Sequence, residues 1–255
     1  MAVDETLMES SVHHGESPTL RLYAWSPPCL SLGYAQNYQE VDETELDKRG
    51  WSIVRRPTGG RAILHTDEIT YSVTGPLEYP LFKGSILGSY RRISAALMGS
   101  LSNLGVSADM NESPRSRDTR VNQEAVCFEV ASNYEITFGG KKLIGSAQAR
   151  RAGGFLQHGS LPLTGRLDRI TEVIKYSTLR DRDEAKVRLL NHAMTLEQTD
   201  GHPRSWEQAT NEFIGGFRET LAINLIPSEI NPRELERVTQ LVAEKYGNDD
   251  WNKRI

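Results

Sequence analysis

Tyr134-Glu135-Ile136-Thr137-Phe138, then Gly139-Gly140, Lys141 to Gln148, Gly153-Gly154 and Phe155 to Leu163 make up the stretch that decides the fold. Paired glycines between alternating segments mark a two-residue hairpin, because both central residues of that turn need positive φ. Gly153-Gly154 reads as a second turn, so the stretch predicts a three-stranded antiparallel meander. Side chains alternate across a strand, which sends Lys141 and Lys142 to opposite faces. One of the two lysines therefore points to a packed or ligand-bearing side.

Working outward, Ile69-Thr70-Tyr71-Ser72-Val73-Thr74 alternates and is β-branched and aromatic, a further strand. Ser52 to Arg56 reads as a strand leading into a Gly59-Gly60 turn, and Ala62 to His65 as the strand leading out. Leu20 to Trp25 and Leu30 to Tyr34 read as two strands parted by Pro27-Pro28. Residues 2 to 10 predict a short helix anchored by Leu7 and Met8. Asp42 predicts a helix start that Glu45 closes by reaching back and Gly50 stops. Ile86, Tyr90, Ile93, Leu97, Leu101 and Leu104 share one stripe of a long helix closed by Gly105. Residues 111 to 124 are polar, lack periodicity and read as a loop. Beyond Thr164 the chain turns helical, near 167–176, near 182–194, and along Trp206, Thr210, Phe213, Phe217 and Leu221. Asn231-Pro232 caps a last helix whose face is Leu235, Val238 and Val242. No repeat or linker divides the sequence. The expectation is one α+β domain over residues 1–255, with helices packed on mixed or antiparallel sheet and no C-terminal accessory domain.

Composition narrows the function class. The 255 residues are 25% charged with a net charge of −4, which argues against a general nucleic-acid binder. No apolar run is long enough to cross a bilayer. The first residues lack the basic-then-apolar pattern of a secretory leader, and two cysteines suit a reducing compartment, so the cytoplasm is expected. Arg55, Arg56, Arg61, Arg115, Arg117, Arg120, Lys141, Lys142, Arg150 and Arg151 crowd the middle of the chain. They read either as an ordinary mixed surface or as a basic rim that receives an acidic partner.

Few residues offer chemistry. Cys127 is either a buried small hydrophobe or, with an ammonium nearby, a thiolate nucleophile. It ends a basic loop and stands upstream of the lysine hairpin. Lys142 is either a surface lysine or an inward one that stabilises an oxyanion or takes a proton from an attacking amine. His65 and His158 favour hydrogen-bonding roles over general-base work. No metal site is expected, because no histidine or carboxylate pair has ligand spacing and Cys127 has no CxxC partner. The Gly59-Gly60 turn is weak evidence for phosphate binding, since it lacks the lysine of a phosphate loop and the dinucleotide glycine spacing.

Several motifs stand in the order of a known family. Arg55-Arg56-Pro57-Thr58-Gly59-Gly60-Arg61-Ala62, with His65 and Tyr71-Ser72-Val73, resembles the RRxTGGxAxxH…YS signature of the lipoate–protein ligases and octanoyltransferases. Lys142-Leu143-Ile144-Gly145-Ser146-Ala147-Gln148 resembles its KxxGSAQ segment, and Gln157-His158-Gly159-Ser160-Leu161 its HHGTLL-like strand. Ser31-Leu32-Gly33-Tyr34-Ala35-Gln36 is a further landmark. Cys127-Phe128-Glu129 through Tyr134-Glu135 is similar to the CFD-x-P-S-x-Y-E segment of the cysteine-dependent octanoyltransferases of Gram-positive type, with Glu129 for the aspartate. The resemblance implies the fold shared with biotin–protein ligase catalytic domains, with an acyl tail in a tunnel near Gly59-Gly60. It implies transfer of an octanoyl group from octanoyl-acyl carrier protein, through a Cys127 thioester and with Lys142 at the carbonyl, to a lysine of a lipoyl domain. The acceptors would be lipoyl domains of 2-oxoacid dehydrogenases or the glycine-cleavage H protein, and no cofactor is implied. Arg56, Thr58, Gly59, Gly60, His65, Gly145, Ser146, Ala147, His158 and Gly159 are the implied substrate-side residues. The alternatives are an ATP- and magnesium-dependent lipoate ligase, an octanoyl amidotransferase between lipoyl proteins, and a non-enzymatic acyl-binding protein.

Overall fold

The computed structural model describes residues 1–111 and 135–255. Helix α1 (Ala2–His13) opens the chain, and strands β1 (Thr19–Tyr23) and β2 (Cys29–Leu32) follow it. Asp42 caps α2 (Glu43–Arg49) by accepting from the Glu45 amide, and Gly50 ends the helix at φ +64°. The Glu45 carboxylate does not reach back as expected. It pairs with Lys48 and Arg49, which the helix brings beside it one turn on.

Strands β3 (Ser52–Arg55), β4 (Ile63–His65) and β5 (Glu68–Pro76) precede the long helix α3 (Ile86–Asn103). Then come β6 (Asp109–Asn111), β7 (Glu135–Phe138), β8 (Lys141–Arg151) and β9 (Gly154–Pro162). The helical remainder holds α4 (Leu179–His192), α5 (Glu197–Asp200), α6 (Trp206–Leu221), α7 (Pro232–Leu241) and α8 (Asp249–Asn252). Among the described residues, no helix is long and apolar enough to cross a membrane.

Two sheets form. The large one is antiparallel, in the order β1-β5-β9-β8-β7-β6, and the small one is mixed, in the order β3-β2-β4. The meander is present with its first turn as read: Gly139 and Gly140 both have positive φ. Its second turn lies one residue earlier than expected, on Ala152 (φ 47°) and Gly153 (φ 78°), with Gly154 already in β9. Gly154 is needed in the strand instead, because a Cβ there would press within 2.9 Å of the Met8 sulfur of α1.

The alternation of β5 sorts the interior into an apolar and a polar half. Ile69, Tyr71 and Val73 enter a core with Ile93, Leu97 and Leu101 of α3 and Phe213 and Phe217 of α6. Each such side chain, fully buried, contributes about 1.5–3 kcal/mol. Thr70, Ser72 and Thr74 point the other way, yet they are buried too, because α1 packs across β5 and β9 on that face. The buried side of α1 is accordingly polar. Asp4 is fully buried, accepting from Arg21 at 2.9 Å and Tyr23 at 3.2 Å, while Leu7, expected as an anchor, is only half-buried.

Other expectations shift at element ends. The helix read near 167–176 is a short 3-10 turn over Leu167–Glu172. Strand β2 stops at Leu32 rather than continuing to Tyr34. Ile86, first in the α3 stripe, is exposed at the helix mouth. On α7 the buried residues are Glu234 and Leu241, whereas Leu235 and Val242 face outward. Glu234 is drawn in because its carboxylate closes the capping box with Asn231.

One buried cation fixes how the small sheet meets its surroundings. Arg55 is fully buried, and its guanidinium donates to the carbonyl oxygens of Gly33 (2.9 Å), Gln36 (2.6 Å) and Asn252 (2.9 Å). A charge out of water persists only when its protons are spoken for, and here they organise the 33–36 loop against the α8 segment. Gly33 in that loop touches the Gly60 carbonyl so closely that a Cβ would overlap the oxygen. Gly33→Ala should therefore cost about 1–3 kcal/mol, because backbone rather than a mobile side chain must yield; an unchanged thermal midpoint would contradict the contact. Arg55→Lys should cost about 3 kcal/mol, since one ammonium cannot serve acceptors spread across that fork; chemical denaturation measures it.

Candidate functional site

The Gly59-Gly60 loop of the small sheet stands over β8 and β9 of the large one. Thr58 Oγ1 lies 2.6 Å from His158 Nε2, a hydrogen bond that joins the two sheets. Beside this link is a cavity of about 260 Å³. Ser31, Arg56, Gly59, Gly60, Ile63 and His65 wall it on one side, and Thr70, residues 145–148 and residues 158–160 on the other. Of the substrate-side residues singled out in the sequence, all but Thr58 stand in this wall, and Thr58 stands behind it holding His158.

The wall is built by backbone-directed hydrogen bonds. Arg56 donates to the carbonyl oxygens of Ser31 (3.0 Å), Gly59 (3.0 Å) and Arg61 (2.7 Å), which pins the glycine loop to β2. Gly159 allows β9 and β8 to close up: a Cβ there would press on the Gly145 carbonyl and come within 2.8 Å of Ser146 Oγ and of the Tyr71 ring. Tyr71 in turn donates to Ser146 Oγ at 2.6 Å.

His65 sits between two oxygens. Its Nε2 is 2.8 Å from Ser31 Oγ and its Nδ1 is 2.6 Å from Glu68 Oε1, with the Trp25 ring stacked on it at 4.4 Å. Hydroxyl, imidazole and carboxylate in line is also the order of a nucleophile relay. Here Ser31 is fully buried and its oxygen already accepts from Arg56 at 3.2 Å. The chain of bonds ties β2, β4 and β5 into one wall.

His158 is a neutral group. Burial pushes its imidazole down to about 3, and the Arg56 charge adds to that against the opposing pull of Asp4. Among the described residues its Nδ1 has no hydrogen-bond partner.

Lys142 is the inward lysine of the hairpin. It is buried, and its Nζ lies 2.6 Å from Glu135 Oε1. Lys141 points outward and donates to the Leu190 carbonyl. Lys142 belongs to β8 three positions before the cavity residue Gly145, and Cys127 lies outside the described residues. Glu135 is a residue that the sequence reading passed over. Its signal was there: Thr137 pairs with Lys142, and Glu135 is two positions from Thr137 on the same strand face. Ser31 in the wall and Glu68, which holds His65, were also missed, because their partners come from other strands.

The basic rim is corrected by these contacts. Arg55, Arg56 and Lys142 are buried, and Arg150 is spent on the carbonyl oxygens of Phe82, Gly84 and Ser85. Arg151 is exposed, and Arg115, Arg117 and Arg120 lie outside the described residues. A wider groove of about 790 Å³ between α2, the 167–172 turn and α4 carries charges of both signs and none of the motif residues. Among the described residues, no three His, Cys, Asp or Glu side chains gather as metal ligands.

Comparison with known proteins agrees with this geometry. Residues 1–218 match the family model described as the lipoyl protein ligase A/B catalytic domain. The octanoyltransferase LipM of Kyrpidia tusciae is 43% identical over 258 residues, covering 100% of this chain and 93% of the relative. That of Carboxydothermus hydrogenoformans is 38% identical over 252 residues, covering 98% and 92%. Among solved structures, the bipartite lipoate protein ligase of Thermoplasma acidophilum superposes with a TM-score of 0.82 at 27% identity, covering 99% of this chain and 89% of that one. A lipoate-protein ligase A bound with ATP gives 0.79 at 25% identity, covering 99% and 92%. With its glycine loop, its paired strands and its inward lysine in the places described, the chain belongs to the lipoyl protein ligase A/B catalytic domain family.

Proposed function

We propose that this chain is a cytoplasmic octanoyltransferase of protein lipoylation, working as a single catalytic domain over residues 1–255. The observation that carries the reading is the cavity under the Gly59-Gly60 loop with a buried lysine further along the same strand. Its volume of about 260 Å³ lies at the small end for ligand pockets. One slender acyl tail suits it, and a nucleotide as well would need room beyond these walls. Relatives named octanoyltransferase, up to 43% identical along the whole chain, support the same chemistry.

The reaction runs in two halves. The Cys127 thiolate adds to the thioester carbonyl of octanoyl-acyl carrier protein, and the carbonyl electron pair moves onto an oxygen held by the Lys142 ammonium. Collapse expels the carrier thiolate, which takes a proton from solvent, and leaves an octanoyl thioester on the enzyme. This exchange of like for like needs little drive. The ε-amine of a lysine on a lipoyl domain or on the glycine-cleavage H protein then attacks. It loses a proton, releases the Cys127 thiolate, and gives an amide. His158 takes no part in proton transfer and serves as a neutral bracket for Thr58 and the glycine loop.

The runner-up is the ATP-dependent ligase, favoured by one observation: a close structural neighbour is a lipoate-protein ligase A bound with ATP. Donor dependence separates the two. Incubation with octanoyl-acyl carrier protein should add one octanoyl group, seen by intact mass, that hydroxylamine removes and that Cys127→Ala abolishes. Acyl transfer that survives this substitution and requires ATP would favour the ligase.

His158 generates a stability prediction as well. Its folded value lies below the ordinary one, so below about pH 6.5 the unfolded chain takes up a proton that the folded chain refuses. Stability is lost as pH falls through that window, and about 2 kcal/mol should go between about pH 7 and about pH 5 on this account. His158→Gln should remove that part of the acid sensitivity, and urea unfolding at the two pH values reads the difference.

A further inference from the structure

We infer that Glu135 is the positioning residue of Lys142, holding its ammonium in place for acyl-enzyme formation. The inference rests on the reading of Lys142 as the group at the carbonyl oxygen.

The main chain of Lys142 is fixed on both sides. It pairs with Thr137 of β7, bridges to Ala193, and its carbonyl accepts from the Met194 amide at 3.1 Å. Beyond Cα, however, lysine is a flexible stem of four carbons, and the strand does not dictate where its charge goes. Glu135 does, from the same face of β7, with Oε1 at 2.6 Å from Nζ. Both residues are buried, Lys142 at 3% and Glu135 at 9% exposure. The lysine's chain neighbours Leu143 and Ile144 are both buried in the core, as the pairing slips by one between Ile136 and Thr137. An ammonium in such a place needs an anion in contact with it.

This pairing also chooses between the two roles that the sequence left open for the lysine. An ammonium has three protons to give. With one directed at Glu135, Lys142 enters the reaction as a charged donor rather than as a base. During acyl-enzyme formation the new carbon–sulfur bond forms, the oxygen takes the electron pair, and the old carbon–sulfur bond breaks. Lys142 keeps its proton throughout and Glu135 keeps it in register. In this scheme Glu135 touches neither substrate nor nucleophile and acts through the lysine.

The test is a double-mutant cycle on the acylation half-reaction, with the full chain and octanoyl-acyl carrier protein. Lys142→Met should slow acyl-enzyme formation by about 100-fold, the order found for loss of an oxyanion donor. Glu135→Gln, which changes one atom, should slow it by about tenfold, within the coupling seen for side chains in contact. The maximal rate should fall while the carrier-protein concentration for half-maximal rate stays put. In the Lys142→Met background, Glu135→Gln should have no further effect. An equal slowing in both backgrounds would mean that Glu135 acts on the fold or on another group, and the proposal falls. So it does if Glu135→Gln acylates at the wild-type rate, or if Lys142→Met does while the acyl-enzyme still forms. Failure of the wild-type protein to form any acyl-enzyme would instead overturn the transferase reading itself. Thermal midpoints of the three variants report on folding separately.

Discussion

Two buried guanidiniums set the geometry on which the rest depends. Arg55 and Arg56 are adjacent in sequence, gather different sets of carbonyl oxygens, and are both buried. A buried cation must be hydrogen-bonded or it unfolds what buries it. Arg55 therefore gathers the carbonyl oxygens of the 33–36 loop and the α8 segment, and Arg56 those of Ser31, Gly59 and Arg61. The glycine loop is left hanging over the large sheet at a height set by Thr58 and His158. The cavity is the space that remains.

The polar half of the interior follows from the same arrangement. Strands β5 and β9 present hydroxyls and imidazole on one face and aliphatic side chains on the other. In a surface sheet the polar face would be wet. Here the small sheet and α1 cover it, so Asp4, Ser72, His158 and Ser160 are all buried. That explains why His158 remains neutral, and why so polar a helix as α1 packs well. It also makes the cavity wall a set of fixed dipoles rather than a smooth apolar tube, while Ile63 and the glycine backbone leave room for an aliphatic tail.

The lysine shows how a motif residue acquires its chemistry. The sequence places an ammonium on the inward face of a hairpin, and alternation alone is enough for that. Whether it serves as a base or as a charged donor depends on what lies within reach of its nitrogen. The structure places the carboxylate of Glu135 there, 2.6 Å from the nitrogen across two strands.

Much of the fold was legible in the residues themselves. The Gly139-Gly140 turn, the alternation of β5, the α3 stripe and the caps at Asp42 and Asn231 are local, and each has a local physical cause. The motifs around the cavity are legible too: Gly60 takes a positive φ of 96° and Gly159 lets β8 and β9 close up, whereas a Cβ at Gly59 would meet nothing within 4 Å. What the sequence could not show is which polar side chains would be buried. Arg55 and Arg56 read as surface charge, a mixed surface or a basic rim, because charge is ordinarily solvated, and only the meeting of two sheets turned them into internal struts. Leu235 and Val242 read as a helix face because they are apolar, yet α7 buries Glu234 through its cap. Secondary structure and site motifs are set by neighbours along the chain, so the sequence by itself determined them. Burial and the bonds from Ser31 to His65 and from Thr58 to His158 depend on partners far apart in sequence, and those only the tertiary structure decided.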